Sequence, residues 1–118
     1  MHMADALVSP AVGGLMTAAS AGLLWYSARN LRKNFDPSRV PLMGVMGAFV
    51  FAAQMINFTI PGTGSSGHIG GGMLLAAVLG SHGAFIALAC VLAIQAFMFA
   101  DGGILALGCN ISVSYTHL

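Results

Sequence analysis

Apolar residues form three long runs along the chain, separated by short polar or glycine-rich segments. The runs cover 11–28, 40–60 and 70–100. A membrane-spanning helix needs about 20 predominantly apolar residues to cross a hydrocarbon core of about 30 Å, so each of the first two runs predicts one span. The third run, about 31 residues long, would extend about 46 Å as one straight helix. It must therefore tilt strongly or break.

The polar sequence Gly80-Ser81-His82-Gly83 predicts a helix break inside the third run. It divides the run into a short part, 70–79, and a fuller part, 84–100. We interpret His82 as a polar turn residue, and as a metal ligand only if the break lies on the outer face. The pattern as a whole predicts an all-α fold, a polytopic transmembrane helix bundle with about three or four membrane helices.

Composition agrees with a membrane protein. Of the 118 residues, 58% are hydrophobic and 6% are charged, and the mean hydropathy is +0.88. Soluble domains carry about 25% charged residues. The net charge of +1 gives no basic surface for phosphate backbones, so we expect a lipid bilayer around the chain and no nucleic acid. Cys90 and Cys109 lie far apart in apolar sequence, which favours packing thiols over a disulfide or zinc site.

The basic residues predict the orientation. All of them fall between the first two runs, which makes that connector cytoplasmic by the positive-inside rule: Arg29, Arg32, Lys33 and Arg39. The N-terminus is then outside, and its lack of a basic n-region predicts that it is not a cleaved signal, so that Met1 stays on the mature protein. The glycine-rich segment 61–72 follows the second span and lies on the same outer face. This arrangement places His2 and His68 on one side of the membrane.

His2 is the residue that points most specifically to a function, which is metal binding. The Met1 amine, the His2 amide nitrogen and the His2 imidazole can chelate one metal ion through fused five- and six-membered rings. Three nitrogens in a plane suit nickel-like ions, whereas zinc prefers tetrahedral ligands. His68 is available as a fourth nitrogen. The sequence thus predicts a square-planar site for cobalt(2+) or nickel(2+) built from Met1, His2 and His68.

Several other polar residues interrupt the apolar runs. Gln54 and Asn57 lie three residues apart near the outer end of the second run, where they would share a helix face. They would either support the metal-binding loop or form interhelical hydrogen bonds that fix packing, and Gln95 is open to the same two interpretations. Asp5 and Asp101 are either interface residues or acceptors for a ligating imidazole.

Other chemistries fit less well. Met43 and Met46 are one helical turn apart and could bind copper(I), but methionine is more often a flexible core residue. The segment 62–69 has the glycine spacing of a phosphate-binding P-loop, yet it has His68 and Ile69 where a P-loop needs Lys and Ser or Thr. Residues for acid–base or nucleophilic catalysis are not grouped in the sequence, which predicts that the chain is not an enzyme.

Four stretches together resemble a known family: the opening 1–10, the segment 51–58, the segment 61–72 around Ser66-Gly67-His68, and the segment 101–110. They are similar to the CbiM/NikM family, the cobalt- and nickel-specific substrate-binding membrane subunits of energy-coupling factor (ECF) transporters. The resemblance implies metal ligation by Met1, His2 and His68. It also implies that a transmembrane coupling protein and two cytoplasmic ATPase subunits drive import, commonly with a small auxiliary membrane subunit, in a bacterial or archaeal cell membrane.

The end of the chain departs from this family. Family members carry roughly six or seven membrane helices, so residues 1–111 are expected to form the N-terminal part of such a subunit. Residues 112–118 form a polar string whose possible codons contain a sequencing-library adapter, and we expect a non-native tail there. The alternative function is a membrane scaffold or small channel-like bundle without metal specificity. Amine and imidazole nitrogens suit both ions, so the ligands do not choose between cobalt and nickel.

Overall fold

The fold was obtained as a computed structural model that describes residues 3–34, 36–62, 66–68, 70–100 and 102–116. Within these ranges the chain is mostly helical, with one small antiparallel hairpin. A 3-10 turn at Asp5–Leu7 precedes α1 (Pro10–Lys33), α2 (Arg39–Gln54), β1 (Asn57–Thr59), β2 (Ser66–His68), α3 (Gly72–Met98) and α4 (Leu107–Thr116). The architecture confirms the predicted helical class, and α4 continues into the expected non-native tail.

The first helix extends further than its apolar run. It begins where the Ser9 hydroxyl accepts a hydrogen bond from the Val12 amide at 3.3 Å, with Pro10 in the first turn. It continues to Lys33, so three of the basic residues lie in its last turns, while Arg39 is the first residue of α2. The four basic residues therefore lie at the ends of two helices and not in a separate loop. Positive charge at a helix C-terminus complements the helix dipole, which favours the longer helix.

The second helix ends earlier than predicted, at Gln54 and not at residue 60. Asn57 belongs to β1 and is paired with His68 across the hairpin, so the prediction that Gln54 and Asn57 share a helix face was wrong. The residues after Asn57 explain the change: Phe58 and Thr59 favour extended backbone, and Pro61 cannot donate a helical hydrogen bond.

Helix α3 breaks at Gly80, as the sequence predicts. Gly80 has φ 79° and ψ 164°, a backbone conformation that is essentially restricted to glycine. Gly71 precedes the first part of α3 as its N-cap, and an added Cβ there would meet Val50. The second part ends near Gln54, which accepts a hydrogen bond from Gln95. Both Val50 and Gln54 lie near the C-terminal end of α2, so the chain reverses direction at Gly80.

The core lies where the two parts of α3 pack on α2 and α4. Its fully buried side chains include Leu75, Phe85 and Val50. Cys109 is also buried and agrees with a packing role, whereas Cys90 is exposed, so the packing interpretation was wrong for that thiol. Among the described helices, α3 alone is long and apolar enough to meet a membrane-span criterion, and α2 is apolar but shorter. The number of spans remains a prediction.

Helices α1 and α4 approach each other closely at two glycines. Gly108 lies against the backbone of Thr17, and Gly13 lies against Leu105, so neither position has room for a Cβ. The Ser20 hydroxyl also donates to the Gly108 carbonyl at 2.7 Å. Small residues that bring backbones together are typical of helix interfaces in membranes. This interface fixes α4 and the loop before it against α1.

Candidate functional site

The start of the chain is held against its far end by three hydrogen bonds. The Met3 amide donates to Asn110 Oδ1 at 2.9 Å, and the Met3 carbonyl accepts from the Gly103 amide at 3.0 Å. Asp5 Oδ1 accepts from the Ala106 amide at 2.9 Å. Met3 and Asn110 are separated by 107 positions in the sequence. The N-terminal segment is therefore fixed on residues 102–110 and does not extend freely from α1.

The local sequence explains how this contact forms. Gly103 lies directly against Asp5, where an added Cβ would collide with the carboxylate, so this position requires glycine. Gly102 before it has a φ of 93°, which favours glycine as well. Asn110 is 6% exposed in α4, and its side-chain oxygen satisfies the Met3 amide. Because a buried polar side chain is costly without a partner, this bond fixes both groups.

His68 is positioned by the β1–β2 hairpin. The pairing is antiparallel, with Asn57 opposite His68 and Phe58 opposite Gly67. Gly67 lies against the Phe58 ring without room for a Cβ. The backbone of His68 is thus held in a defined register by β1, which begins three residues after α2 ends.

Gln54 and Gln95 form a buried pair between α2 and α3. Gln95 Nε2 donates to Gln54 Oε1 at 3.2 Å, and the two side chains are 0% and 3% exposed respectively. This is the interhelical hydrogen bond that the packing interpretation of Gln54 requires. It joins the two helices close to the hairpin that carries His68.

These features lie at one end of the bundle, which we call the carboxyl end because α2 and α3 both finish there. The rings of Phe51 and Phe99 pack with centroids 5.4 Å apart, which places the two helix ends together. The hairpin leaves α2 at this end, and the loop after α3 reaches Met3 and Asp5 through its residues 103–106. The structure therefore brings the N-terminal segment and the hairpin to the same end.

His82 lies at the opposite end, which we call the basic end, defined by Lys33 and Arg39. Its Nδ1 is 3.2 Å from the Ser27 hydroxyl, and its ring packs edge-on against Tyr26. It lines a cavity together with Arg39. His82 is helical, two residues after the Gly80 break in the second part of α3, so its interpretation as a turn residue was wrong.

Two of the predicted ligand residues, Met1 and His2, lie outside the described residues, as does Asp101. For His68 and Asn57 the structure describes the backbone. Sequence reasoning did not identify Asn110 and Gly103 as residues that hold the N-terminus. The available signal was the Asp101-Gly102-Gly103 motif together with an asparagine in an apolar helix.

The chain belongs to a family of transmembrane proteins. It belongs to the CbiM family, whose cobalt uptake substrate-specific transmembrane region matches residues 2–113.

Individual relatives agree with this family. A protein of Haloquadratum walsbyi named for metal transport is 42% identical over 111 residues, covering 94% of this chain and 50% of the relative. A fused nickel transport protein of Archaeoglobus fulgidus is also 42% identical, covering 94% of this chain and 36% of the relative. The crystal structure of a truncated transition metal transporter superposes with a TM-score of 0.89 at 41% identity, covering 98% of this chain and 53% of that one. The chain thus spans about half the length of these proteins or less.

Proposed function

We propose that this chain is the metal-capturing part of a membrane subunit for the import of cobalt(2+) or nickel(2+). The ion binds in a square plane of four nitrogens: the Met1 amine, the amide nitrogen and imidazole of His2, and the imidazole of His68. The chain itself hydrolyses nothing. Import is driven by partners, namely an ECF transmembrane coupling protein and two cytoplasmic ATPase subunits, with a small auxiliary membrane subunit.

The observation that carries this proposal is the double hydrogen bond at Met3. Both its amide and its carbonyl are bound to residues of the loop and α4 that follow α3. Consecutive Cα atoms are about 3.8 Å apart, so the fixed Met3 is within two covalent steps of both proposed N-terminal ligands, which supports a site at the carboxyl end. The hairpin that positions His68 begins at the same end. Met3 and the His68 backbone, which adjoin or carry the proposed ligands, thus lie at one end of the bundle, and this supports the proposal.

The relatives support the choice of ion. They include proteins named for nickel transport and for cobalt transport. The proposed orientation has the carboxyl end outside and the basic end in the cytoplasm, because the basic residues of α1 and α2 gather at the latter. Metal is then captured on the outer face of a multi-pass cell-membrane protein.

Nickel and cobalt binding by histidine variants tests the proposal. We expect His2→Ala and His68→Ala to weaken binding by about 100-fold or more, because even residues that only support a ligand change affinity by about 10- to 100-fold. Calorimetric titration of the detergent-purified chain with each metal measures the effect. His82→Ala is the matched control, since His82 lies at the basic end. The proposed site would be contradicted if His2→Ala and His68→Ala both left the metal affinity unchanged, or if His82→Ala weakened binding as much as they do.

Asn110 should act as a positioning residue for this site. Replacing it with alanine removes the acceptor for the Met3 amide, and we expect about a 10-fold loss of nickel affinity. Asn110→Asp keeps an oxygen acceptor for the Met3 amide and should recover most of the nickel affinity. A variant that merely unfolds the bundle would not recover it.

The control for this prediction is Asn30→Ala. Asn30 donates to the Tyr26 carbonyl on an exposed part of α1, near the basic end. Circular dichroism of each variant verifies that the helices are retained. If Asn110→Ala binds nickel as tightly as the unmodified chain, the hydrogen bond to Met3 has no role in metal capture.

A further inference from the structure

Two different helix ends carry the two halves of the proposed metal site. The hairpin with His68 follows α2, whereas the loop that holds Met3 follows α3. Gln54 is the last residue of α2, and Gln95 lies in the last turn of α3. Their hydrogen bond is buried inside the described helices. It therefore joins the element that carries one proposed ligand to the element that holds the others.

Both ends of the hairpin are fixed to the C-terminal part of α2. Beyond Gln54 the backbone stays hydrogen-bonded to the last turn of the helix, because the Ile56 amide donates to the Ala53 carbonyl at 3.3 Å. Strand β1 begins at the next residue. Where the chain returns from the hairpin, Gly71 lies against Val50 without room for a Cβ. The hairpin should therefore follow any movement of the end of α2.

The end of α3 is connected in a similar way to the N-terminal segment. The Gln95 carbonyl accepts a hydrogen bond from the Phe99 amide at 3.3 Å, which closes the last turn of the helix. The following loop then reaches the Met3 carbonyl through the Gly103 amide at 3.0 Å. Gln95 thus contacts the start of this loop through its backbone and the end of α2 through its side chain.

The hydrogen bond between the two glutamines is a directional contact beside an apolar one. Phe51 of α2 and Phe99 after α3 pack with ring centroids 5.4 Å apart. Apolar contacts bring surfaces together but are non-directional, so they allow one helix to slide along another. A hydrogen bond of 3.2 Å between Gln95 Nε2 and Gln54 Oε1 holds only in a narrow range of positions. The pair therefore fixes the register of α2 against α3.

We propose that Gln54 and Gln95 are positioning residues that set the spacing between the His68 imidazole and the N-terminal chelate. This inference rests on the four-nitrogen site proposed above. Metal–ligand distances tolerate deviations of only about 0.2 Å, so a small slide of α2 along α3 is enough to weaken one bond. The three N-terminal nitrogens belong to adjacent residues and move together. Without the glutamine pair, the bond to His68 is the first to weaken.

A double variant, Gln54→Leu with Gln95→Leu, tests the proposal in chains with and without His68. It removes both halves of the hydrogen bond at similar volume, so neither amide is left buried without the other. With His68 present, we expect about a 10-fold loss of nickel affinity in calorimetric titration of the detergent-purified chain. In the His68→Ala background we expect less than about a twofold change, because the positioned ligand is already absent.

Ser27→Ala is the matched control. Ser27 is buried in α1, and its hydroxyl lies 3.2 Å from Nδ1 of His82 in α3, so this variant removes an interhelical contact at the basic end. Its nickel affinity should be unchanged. The visible absorption of bound nickel is a second measurement. In the double leucine variant it should shift toward that of His68→Ala, because both weaken the fourth nitrogen, whereas a general loss of stability would not produce this shift.

Equal losses with and without His68 would overturn the positioning role, because the pair would then act on the whole fold or on the other ligands. Unchanged affinity of the double variant in the chain with His68 would overturn it as well. If His68→Ala itself leaves nickel affinity unchanged, the four-nitrogen site fails, and the positioning role fails with it. If circular dichroism shows that the double variant loses its helices, Gln95→Asn, whose side chain is shorter by a methylene group, makes the same comparison.

Discussion

Extending the chain in front of Met1 by a short Gly-Ser segment should abolish nickel and cobalt binding. The extension converts the terminal amine into an amide and removes the end of the fused chelate, so the site loses a ligand that no side chain replaces. We expect a loss of affinity of about 100-fold or more, measured by calorimetric titration against a chain with a free N-terminus. A single added residue is unsuitable because the histidine would then be the third residue. The new terminal amine, the two following backbone amides and the imidazole would form a new chelate.

The matching control is the same Gly-Ser segment added at the C-terminus, which leaves the amine free. Folding is monitored by circular dichroism, and retained helicity separates a lost ligand from a lost fold. Met3 is bound to Asn110 and Gly103. The added N-terminal segment must therefore project away from the carboxyl end if these hydrogen bonds are to be kept. An N-terminally extended chain that binds nickel as tightly as the free one would exclude the amine as a ligand and, with it, the square-planar set.

Gly108→Ala should destabilise the bundle by about 3 kcal/mol, the upper part of the usual range for overpacking. An added Cβ would collide with the backbone of Thr17, and backbone atoms cannot move aside as a flexible side chain can. The same change displaces α4, which carries Asn110. Unfolding of the detergent-solubilised chain by increasing fractions of denaturing detergent measures the free energy.

Gly14→Ala is the control for this change. Gly14 lies on α1, and an added Cβ there meets no atom within 4 Å. Alanine favours a helix over glycine by about 1 kcal/mol, so this variant should be as stable as the unmodified chain or more stable. Equal stabilities of Gly108→Ala and Gly14→Ala would show that the α1–α4 contact is looser than described.

Much of the helical fold could be predicted because the length of an apolar run and the position of a glycine within it can be read from neighbouring residues. The Gly80 break is an example, since a polar tetrapeptide inside a long apolar run has no other simple explanation. The end of α2 was missed because residues 55–60 are mostly apolar, and the extended conformation of Asn57–Thr59 depends on pairing with Ser66–His68. Such pairing between residues apart in sequence overrides local preference.

The candidate site shows the same limit. The chelating potential of Met1 and His2 is a property of adjacent residues and can be read directly from the sequence. The role of Asn110 depends on the return of α4 to the start of the chain, a contact across 107 positions. Composition and periodicity contain no information on that contact. The close contacts of α1 at Gly13 and with Gly108 likewise depend on residues far away in the sequence.

The hydrogen bonds at Met3 and Asp5 also determine when the N-terminal segment can dock during synthesis of the chain. Met3 and Asp5 have their partners at 103–110, which are synthesised about 100 residues later. At roughly 5–20 residues per second, this is a delay of about 5–20 s. During that interval the helices can enter the bilayer while the N-terminal segment has no place to dock. Formation of the proposed metal site would therefore be a late step of biogenesis, and we expect a chain interrupted before α4 to insert into the membrane without forming it.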